Sequence, residues 1–270
     1  MPLPAPTEQE LNGCRLYGED FSHDEVVEWF EDERNAYADL GSSDRAAYRY
    51  SYHGLNLRHG FRYLPQRQFE HALGIGSAYG DEFLSIEDRV GRLTIVEPSP
   101  ELRNARLRLP VEYVEPQADG ALPMPSRSVD LVLCLSVLHH IAKVSFAITE
   151  IARVLRAGGF AVIREPTISM GDWRKQRRGL TAHERGIPLR LLRDMIADVG
   201  LEVVNETRCM FSLTTRLTRL AGIGLPYNSA GVVVLDAFAC RLFGWNQTYH
   251  ATHLHQRFRS TGVYLVLTKR

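Results

Sequence analysis

The chain has 270 residues, with 32 basic and 32 acidic side chains, so its formal net charge is zero. That length allows one large domain or one domain with a sizeable cap, and the neutral balance argues against nucleic acid or an anionic membrane as a partner. No apolar run is long enough to span a bilayer. The opening Met1-Pro2-Leu3-Pro4-Ala5-Pro6 lacks the blocks of a signal peptide. Cys14, Cys134, Cys209 and Cys240 show neither C-x-x-C nor zinc-ligand spacing. Buried free thiols and a cytoplasmic location are the expectation.

Residues 1–67 are polar, aromatic and charged, with helical periodicity over Glu25–Tyr37 and Ala46–Leu57 and a helix-start signal in Ser22-His23-Asp24-Glu25. They read as an N-terminal helical cap. Residues 68–208 alternate strand and helix signals. Strands are predicted at Phe69–Ile75, Leu93–Glu97, Val111–Val114, Val129–Leu135, Gly159–Arg164 and Leu201–Thr207. Helices are predicted at Gly80–Asp88, Pro100–Arg106, Val144–Leu155 and Leu189–Val199, with Gly158-Gly159 as a helix C-cap. Residues 209–258 break this rhythm and read as a helical insertion on the substrate side, with pieces at Leu213–Leu220 and Val232–Phe243. Residues 259–270 supply a last strand. The pattern predicts an α/β fold: a doubly wound, seven-stranded, mostly parallel sheet whose final strand is antiparallel.

The first strand runs into Gly74-Ile75-Gly76-Ser77-Ala78-Tyr79-Gly80. Read from Gly74, the spacing is G-x-G-x-x-x-G, one residue out of register for a dinucleotide fingerprint. Read from Gly76, it is a G-x-A-x-G turn. Glu97 ends the second strand, where a carboxylate can accept both ribose hydroxyls. Asp119-Gly120 follows the third strand, Val137-Leu138-His139-His140-Ile141 follows the fourth, and Glu150 to Gly159 leads into the fifth.

In that order and spacing, the run from Leu73 to Pro166 resembles the S-adenosylmethionine (SAM) binding core of class I methyltransferases, with a Rossmann-like sheet. The resemblance implies SAM as cofactor and S-adenosylhomocysteine as product. It implies that Gly76, Ser77 and Gly80 pass under the methionine part and that Glu97, with Pro98, holds the ribose. Asp119 and Gly120 would sit by the adenine, and Leu135 would flank the methionine end. Gly74 is the departure: many members carry Asp or Glu at that place of the cofactor turn. Asp81 or a cap residue is the expected substitute.

Methyl transfer needs alignment of nucleophile, methyl and sulfur, and a route for the nucleophile's proton. His139, His140 and Glu165 fall at the C-terminal edge of the sheet, where active-site groups of open α/β sheets gather. Their spacing resembles that of sugar and other small-molecule O-methyltransferases, which implies His139 as base and Glu165 as its partner, with His140 a second candidate. No metal site is expected, because residues 134–140 supply no carboxylate and His250, His253 and His255 lack an acidic partner. Tyr48, Tyr50, Tyr52, His53, His59 and Tyr63 could line a substrate pocket or pack the cap on the sheet. Thr181 to Pro188 is dense in functional side chains, and Arg174, Arg177 and Arg178 could receive an anion. The reading is a metal-independent SAM O-methyltransferase of a small-molecule or sugar hydroxyl. The alternatives are N- or C-methylation in the same fold, or a non-catalytic SAM- or partner-binding module. A nicotinamide-dependent dehydrogenase is disfavoured by the glycine spacing.

Overall fold

The computed structural model describes residues 3–40, 45–173, 175, 177, 179–181 and 183–270, with backbone alone for 37–40. Seven strands form its sheet: β1 (Phe69–Ile75), β2 (Val90–Val96), β3 (Val111–Val114), β4 (Val129–Leu135), β5 (Leu155–Pro166), β6 (Leu201–Phe211) and β7 (Ser260–Lys269). They lie in the order β3-β2-β1-β4-β5-β7-β6. The first five strands pair in parallel, and β7 runs antiparallel between β5 and β6. The strand order reverses between β1 and β4, so their C-terminal ends part and leave a crevice, the place where open α/β sheets bind ligands.

The central strands are apolar nearly throughout because both of their faces are covered. On one face, helix α4 (Val144–Val154) buries Val144, Ala147, Ile148 and Ile151, a stripe at helical spacing, against β4 and β5 together with helix α5 (Leu189–Asp198). On the other, Leu55, Phe61, Phe83 and Val233 pack over Phe69, Leu131 and Tyr264. Burying each such side chain is worth about 1.5–3 kcal/mol. The second layer includes the short helix α3 (His53–His59) and α7 (Ala230–Leu242).

Helix α2 (His23–Leu40) begins where the sequence signals it. The Glu25 carboxylate accepts from the Ser22 N–H at 2.7 Å while Ser22 Oγ accepts from the Glu25 N–H at 3.4 Å, a reciprocal cap. Four other expectations are corrected. The helix over Gly80–Asp88 is two single tight turns, since Gly80 is left-handed (φ 72°) and Ile86 (φ −139°) interrupts the run. The helix over Pro100–Arg106 shrinks to the turn Pro100–Leu102. The helix over Ala46–Leu57 begins only at His53, because Tyr48 and Tyr52 leave helical register to pack edge-on to Tyr79 and flat on Tyr227. Gly158 is no helix cap: α4 ends at Val154, the chain extends at once into β5, and Gly158 (φ 72°) bends that strand where its register with β4 shifts.

Of the four thiols, three are buried and Cys14 is exposed. Among the described residues, no helix is long and apolar enough to cross a membrane.

Candidate functional site

The crevice at the ends of β1, β2 and β4 opens into a cleft with a largely apolar lining, as small-molecule sites have. Its floor is built by turns. Gly76 (φ 59°) leaves β1, and a Cβ on it would lie 2.8 Å from Val137, so only glycine lets the two turns approach this closely. Ser136, also left-handed at φ 65°, donates its N–H to the Arg164 carbonyl at 2.6 Å and receives the Arg164 Nε–H at 3.0 Å. A serine held in that region is costly and is kept where the surroundings fix it. Glu97, Pro98, Gln117, Ala118 and Gly120 form one wall, and Val26, Trp29, Phe30 and Glu33 of α2 form the other.

Glu97 is held rigidly. Its Oε2 accepts the Ala78 N–H at 2.9 Å and its Oε1 the Ser99 N–H at 3.0 Å. Each oxygen keeps a second lone-pair direction for a ligand hydroxyl. Burial raises its pKa, against the pull of those backbone donors.

The cleft brings together part of the expected cofactor set. Gly76, Glu97, Pro98 and Gly120 line it. Gly74, Ser77 and Gly80 lie behind the turn: the Ser77 side chain sits against Gly74, and the space above Gly80 is closed by Ile95. Asp119 turns its carboxylate into its own loop, accepting the Ala121 N–H at 2.9 Å, and leaves the wall to its neighbours. Leu135 packs into the core on the far side of the sheet, and Ser136 takes the place expected for it. Asp81 does not replace the missing acid; it pairs with Arg45 at 2.6 Å outside the cleft wall. The lining acids are Glu97 and, from the cap, Glu33.

The two histidines have different surroundings. His139 is buried, with Nδ1 2.7 Å from Glu165 Oε2 and Nε2 3.4 Å from Glu184 Oε1. Burial alone would lower its pKa, but the two carboxylates outweigh that and raise it to about 9. The Glu165 carboxylate also accepts the N–H groups of Val137, Leu138 and His139 at 2.9, 2.9 and 3.3 Å, capping the turn that carries both histidines. Neither His139 nor Glu165 lines the cleft; His140 does. Its Nδ1 lies 2.7 Å from Glu33 Oε2, across from α2. Burial works to raise the Glu33 pKa, but His140, Thr181 and the His183 N–H hold the carboxyl below its ordinary value.

Sequence reasoning missed Glu33, Ser136 and Glu184, and underrated the segment after residue 180. Thr181, Glu184 and Arg185 are all buried under the histidine turn. The Arg185 guanidinium donates to the carbonyl oxygens of Tyr17, His139, Ile141 and Ala142 at 2.9–3.1 Å and lies 4.8 Å over the Trp29 ring. Trp29 Nε1 donates to the His140 carbonyl at 2.7 Å, and His183 stacks on the Trp29 ring. Only the density of polar side chains in Thr181–Pro188 signalled this. The ground for expecting no metal also fails, because Glu184 arrives from that segment and supplies the carboxylate that residues 134–140 lack.

Other candidates lie elsewhere. Tyr48 and Tyr52 pack as described, Tyr50 accepts from Asn56 Nδ2, and His59 and Tyr63 line a second cleft with β6 and α7. Arg177 donates to the carbonyl oxygens of Thr181 and Glu184; Arg174 and Arg178 lie outside the described residues. His253 and His255 stack on each other at the surface, and His250 contacts Ser169.

Residues 73–163 match the protein family described as a methyltransferase domain. An uncharacterized 37.1 kDa protein in transposon TN4556 of Streptomyces fradiae is 34% identical over 117 residues, 41% of this chain; the chain spans 32% of that relative's length. Among solved structures, similarity extends to a chain of the complex between the Haloferax volcanii Trm112 methyltransferase activator and a methyltransferase. The identity is 18%, the coverage 92% of this chain and 99% of that one, and the TM-score 0.54. An S-adenosylmethionine dependent methyltransferase from Mesorhizobium loti is 14% identical, covering 77% of this chain and 94% of that one, with a TM-score of 0.51. At these identities the structures share the fold.

Proposed function

We propose that this chain, which belongs through residues 73–163 to the class I SAM-dependent methyltransferase family, transfers the methyl group of SAM to a hydroxyl of a small molecule or sugar. The observation that carries this reading is the cleft itself. A glycine turn too close to Val137 for any side chain, a rigid carboxylate at Glu97 and the Gln117–Gly120 loop meet at the sheet's switch point, inside the matched segment. In this reading Gly76 and Val137 lie along the methionine part, Glu97 takes the ribose hydroxyls, and Gly120 with its neighbours borders the adenine. Glu33, the other lining acid, stands in for the carboxylate that Gly74 cannot provide and faces the ammonium group.

SAM supplies an electrophilic methyl on a sulfonium, which departs as a neutral thioether. The chain's own residues position the acceptor and manage its proton. In this reading His140, which lines the cleft and is oriented through its Nδ1 by Glu33, serves the acceptor hydroxyl as base. As the new O–CH₃ bond forms and the S–CH₃ bond breaks, that proton passes to His140. A base positioned this way contributes roughly 10²–10⁴-fold. His139, with both ring nitrogens facing carboxylates, acts from beneath as a support for the turn.

Calorimetry with SAM, S-adenosylhomocysteine and NAD tests the cofactor, and a panel of sugars and phenols with labelled SAM tests the acceptor. Micromolar binding of the adenosyl ligands without NAD binding is expected. No adenosyl-ligand binding refutes the reading. Turnover with amines alone refutes the hydroxyl assignment.

A further inference from the structure

We infer that His139, His140 and Glu184 form a binding site for a divalent transition-metal ion of the zinc type at the acceptor end of the cleft. The inference rests on the reading that the acceptor oxygen approaches His140, and it adds a cofactor to that place.

One donor atom from each of the three residues lies within 4.8 Å of the others. His139 Nε2 and Glu184 Oε1 are 3.4 Å apart. A charge-assisted hydrogen bond between such groups closes to about 2.7–2.9 Å, and the His139–Glu165 contact does so at 2.7 Å. Two ligands of one ion, each about 2.0–2.2 Å from it, stand about 3.0–3.5 Å apart at octahedral or tetrahedral angles. The longer contact thus has the spacing of two ligands that share an ion.

Each candidate ligand is also oriented from behind. His139 Nδ1 faces Glu165 at 2.7 Å, which leaves its Nε2 beside Glu184, and the His140 ring is held through Nδ1 by Glu33 at 2.7 Å. Glu184 Oε2 accepts the Thr181 N–H at 3.1 Å, leaving Oε1 to the site. A carboxylate behind a histidine is the usual outer shell of a metal-bound imidazole, and here both histidines have one. Glu33, Glu165 and Glu184 gather three carboxylates around the turn, while the buried Arg185 donates to carbonyl oxygens. Two imidazoles and one carboxylate suit zinc and its neighbours better than magnesium or calcium, which take oxygen donors. Three protein ligands leave positions open, as catalytic zinc sites do. His140 lines the cleft while His139 and Glu184 are buried beside it, so an ion held by the three would sit at the edge of the cleft. An ion held by these three residues would supply Lewis acidity to an acceptor oxygen, lowering the pKa of its proton so that solvent could take it in place of His140 as base.

The test is calorimetric titration of the full chain, stripped with chelator, using Zn²⁺ and Mg²⁺, with S-adenosylhomocysteine affinity measured on the wild type and the thermal melt of every variant as the check on folding. One Zn²⁺ per chain is expected, with Mg²⁺ at least 100-fold weaker. Glu184→Gln and His140→Asn should each weaken Zn²⁺ binding at least 100-fold, and Glu33→Gln about 10–100-fold. On the wild type, Zn²⁺ should shift the His139 and His140 imidazole resonances, a readout independent of how any variant folds. Absence of stoichiometric uptake, or unmoved resonances, overturns the site. So does uptake that survives Glu184→Gln but disappears in His253→Asn, which places the ion on the surface pair. Loss of S-adenosylhomocysteine binding by the wild type strikes the methyltransferase reading instead. Intact cofactor binding and chelator-resistant turnover without Zn²⁺ uptake overturn the metal site alone.

Discussion

Gly74 occupies the position where related cofactor turns carry a carboxylate, and the structure explains why no carboxylate fits. A Cβ at Gly74 would stand 2.4 Å from Ser77 Oγ, 2.9 Å from Ser77 Cβ and 3.0 Å from the Phe83 ring. Rotating Ser77 relieves the first contact but not the other two. The backbone cannot retreat, because Gly74 is paired to Ile95 on one side and Leu133 on the other. Gly74→Ala therefore overpacks this spot at about 1–3 kcal/mol, offset by about 0.4–1 kcal/mol from the stiffer unfolded chain. The net expectation is a loss of about 1–2 kcal/mol, or about 2–8 °C in Tm for a chain of this size. Adding Ser77→Gly removes both contacts below 3.0 Å, so the pair should be non-additive by about 1 kcal/mol. Gly74→Asp should lose more stability and gain no SAM affinity. Urea unfolding of wild type, both single variants and the double variant measures the coupling, and calorimetry measures the affinity. A Gly74→Ala protein as stable as wild type, strict additivity, or tighter SAM binding by Gly74→Asp would refute the steric argument.

Glu97→Gln should weaken S-adenosylhomocysteine binding at least ~10-fold and lower stability by about 1–3 kcal/mol, because an amide NH₂ must then face the Ala78 or Ser99 N–H; calorimetry and thermal melts check both. Arg185→Met leaves four buried carbonyl oxygens without their donor and should cost at least about 3 kcal/mol in denaturant unfolding. Burial, helped by the nearby positive charges of Arg58 and Arg62, brings the pKa of His59 down to about 4. It stays neutral in the fold while the unfolded chain takes up a proton, so its contribution is full above about pH 6.5 and falls away toward pH 4, by up to about 3 kcal/mol. His59→Leu should flatten that part of the stability–pH curve relative to wild type, and an unchanged curve would contradict the assignment.

What the sequence revealed was the part built from short windows. The strand–turn–helix rhythm, the antiparallel last strand, the Gly76 turn, and Glu97 at the end of β2 each depend on residues a few positions apart, and backbone geometry at a turn demands small residues in one place. What it concealed depends on distance along the chain. Glu33 meets His140 across 107 residues and Arg185 reaches Tyr17 across 168, and no local pattern marks either partner. Gly80–Asp88 failed as a helix for a related reason: tertiary contacts of Asp81 with Arg45 and of Phe83 with the core determine that turn, and they override its local propensity.

The cap is therefore part of the site and more than a cover for it. Trp29 fixes the His140 carbonyl, Glu33 fixes its ring, and the same helix braces the segment that delivers Glu184, through the Glu33–His183 contact at 3.1 Å. The parallel core by itself supplies the floor of the cleft with one rigid carboxylate, Glu97. His140, the group proposed to face the acceptor, takes its orientation from α2. Because that orientation comes from outside the matched segment, changes in the cap can alter the surroundings of His140, and through Glu33 the proposed ammonium contact, while Gly76 and Glu97 stay in place. In this architecture the matched core frames the cleft, and on the proposed reading α2 together with Thr181, Glu184 and Arg185 is where the acceptor's identity is to be sought.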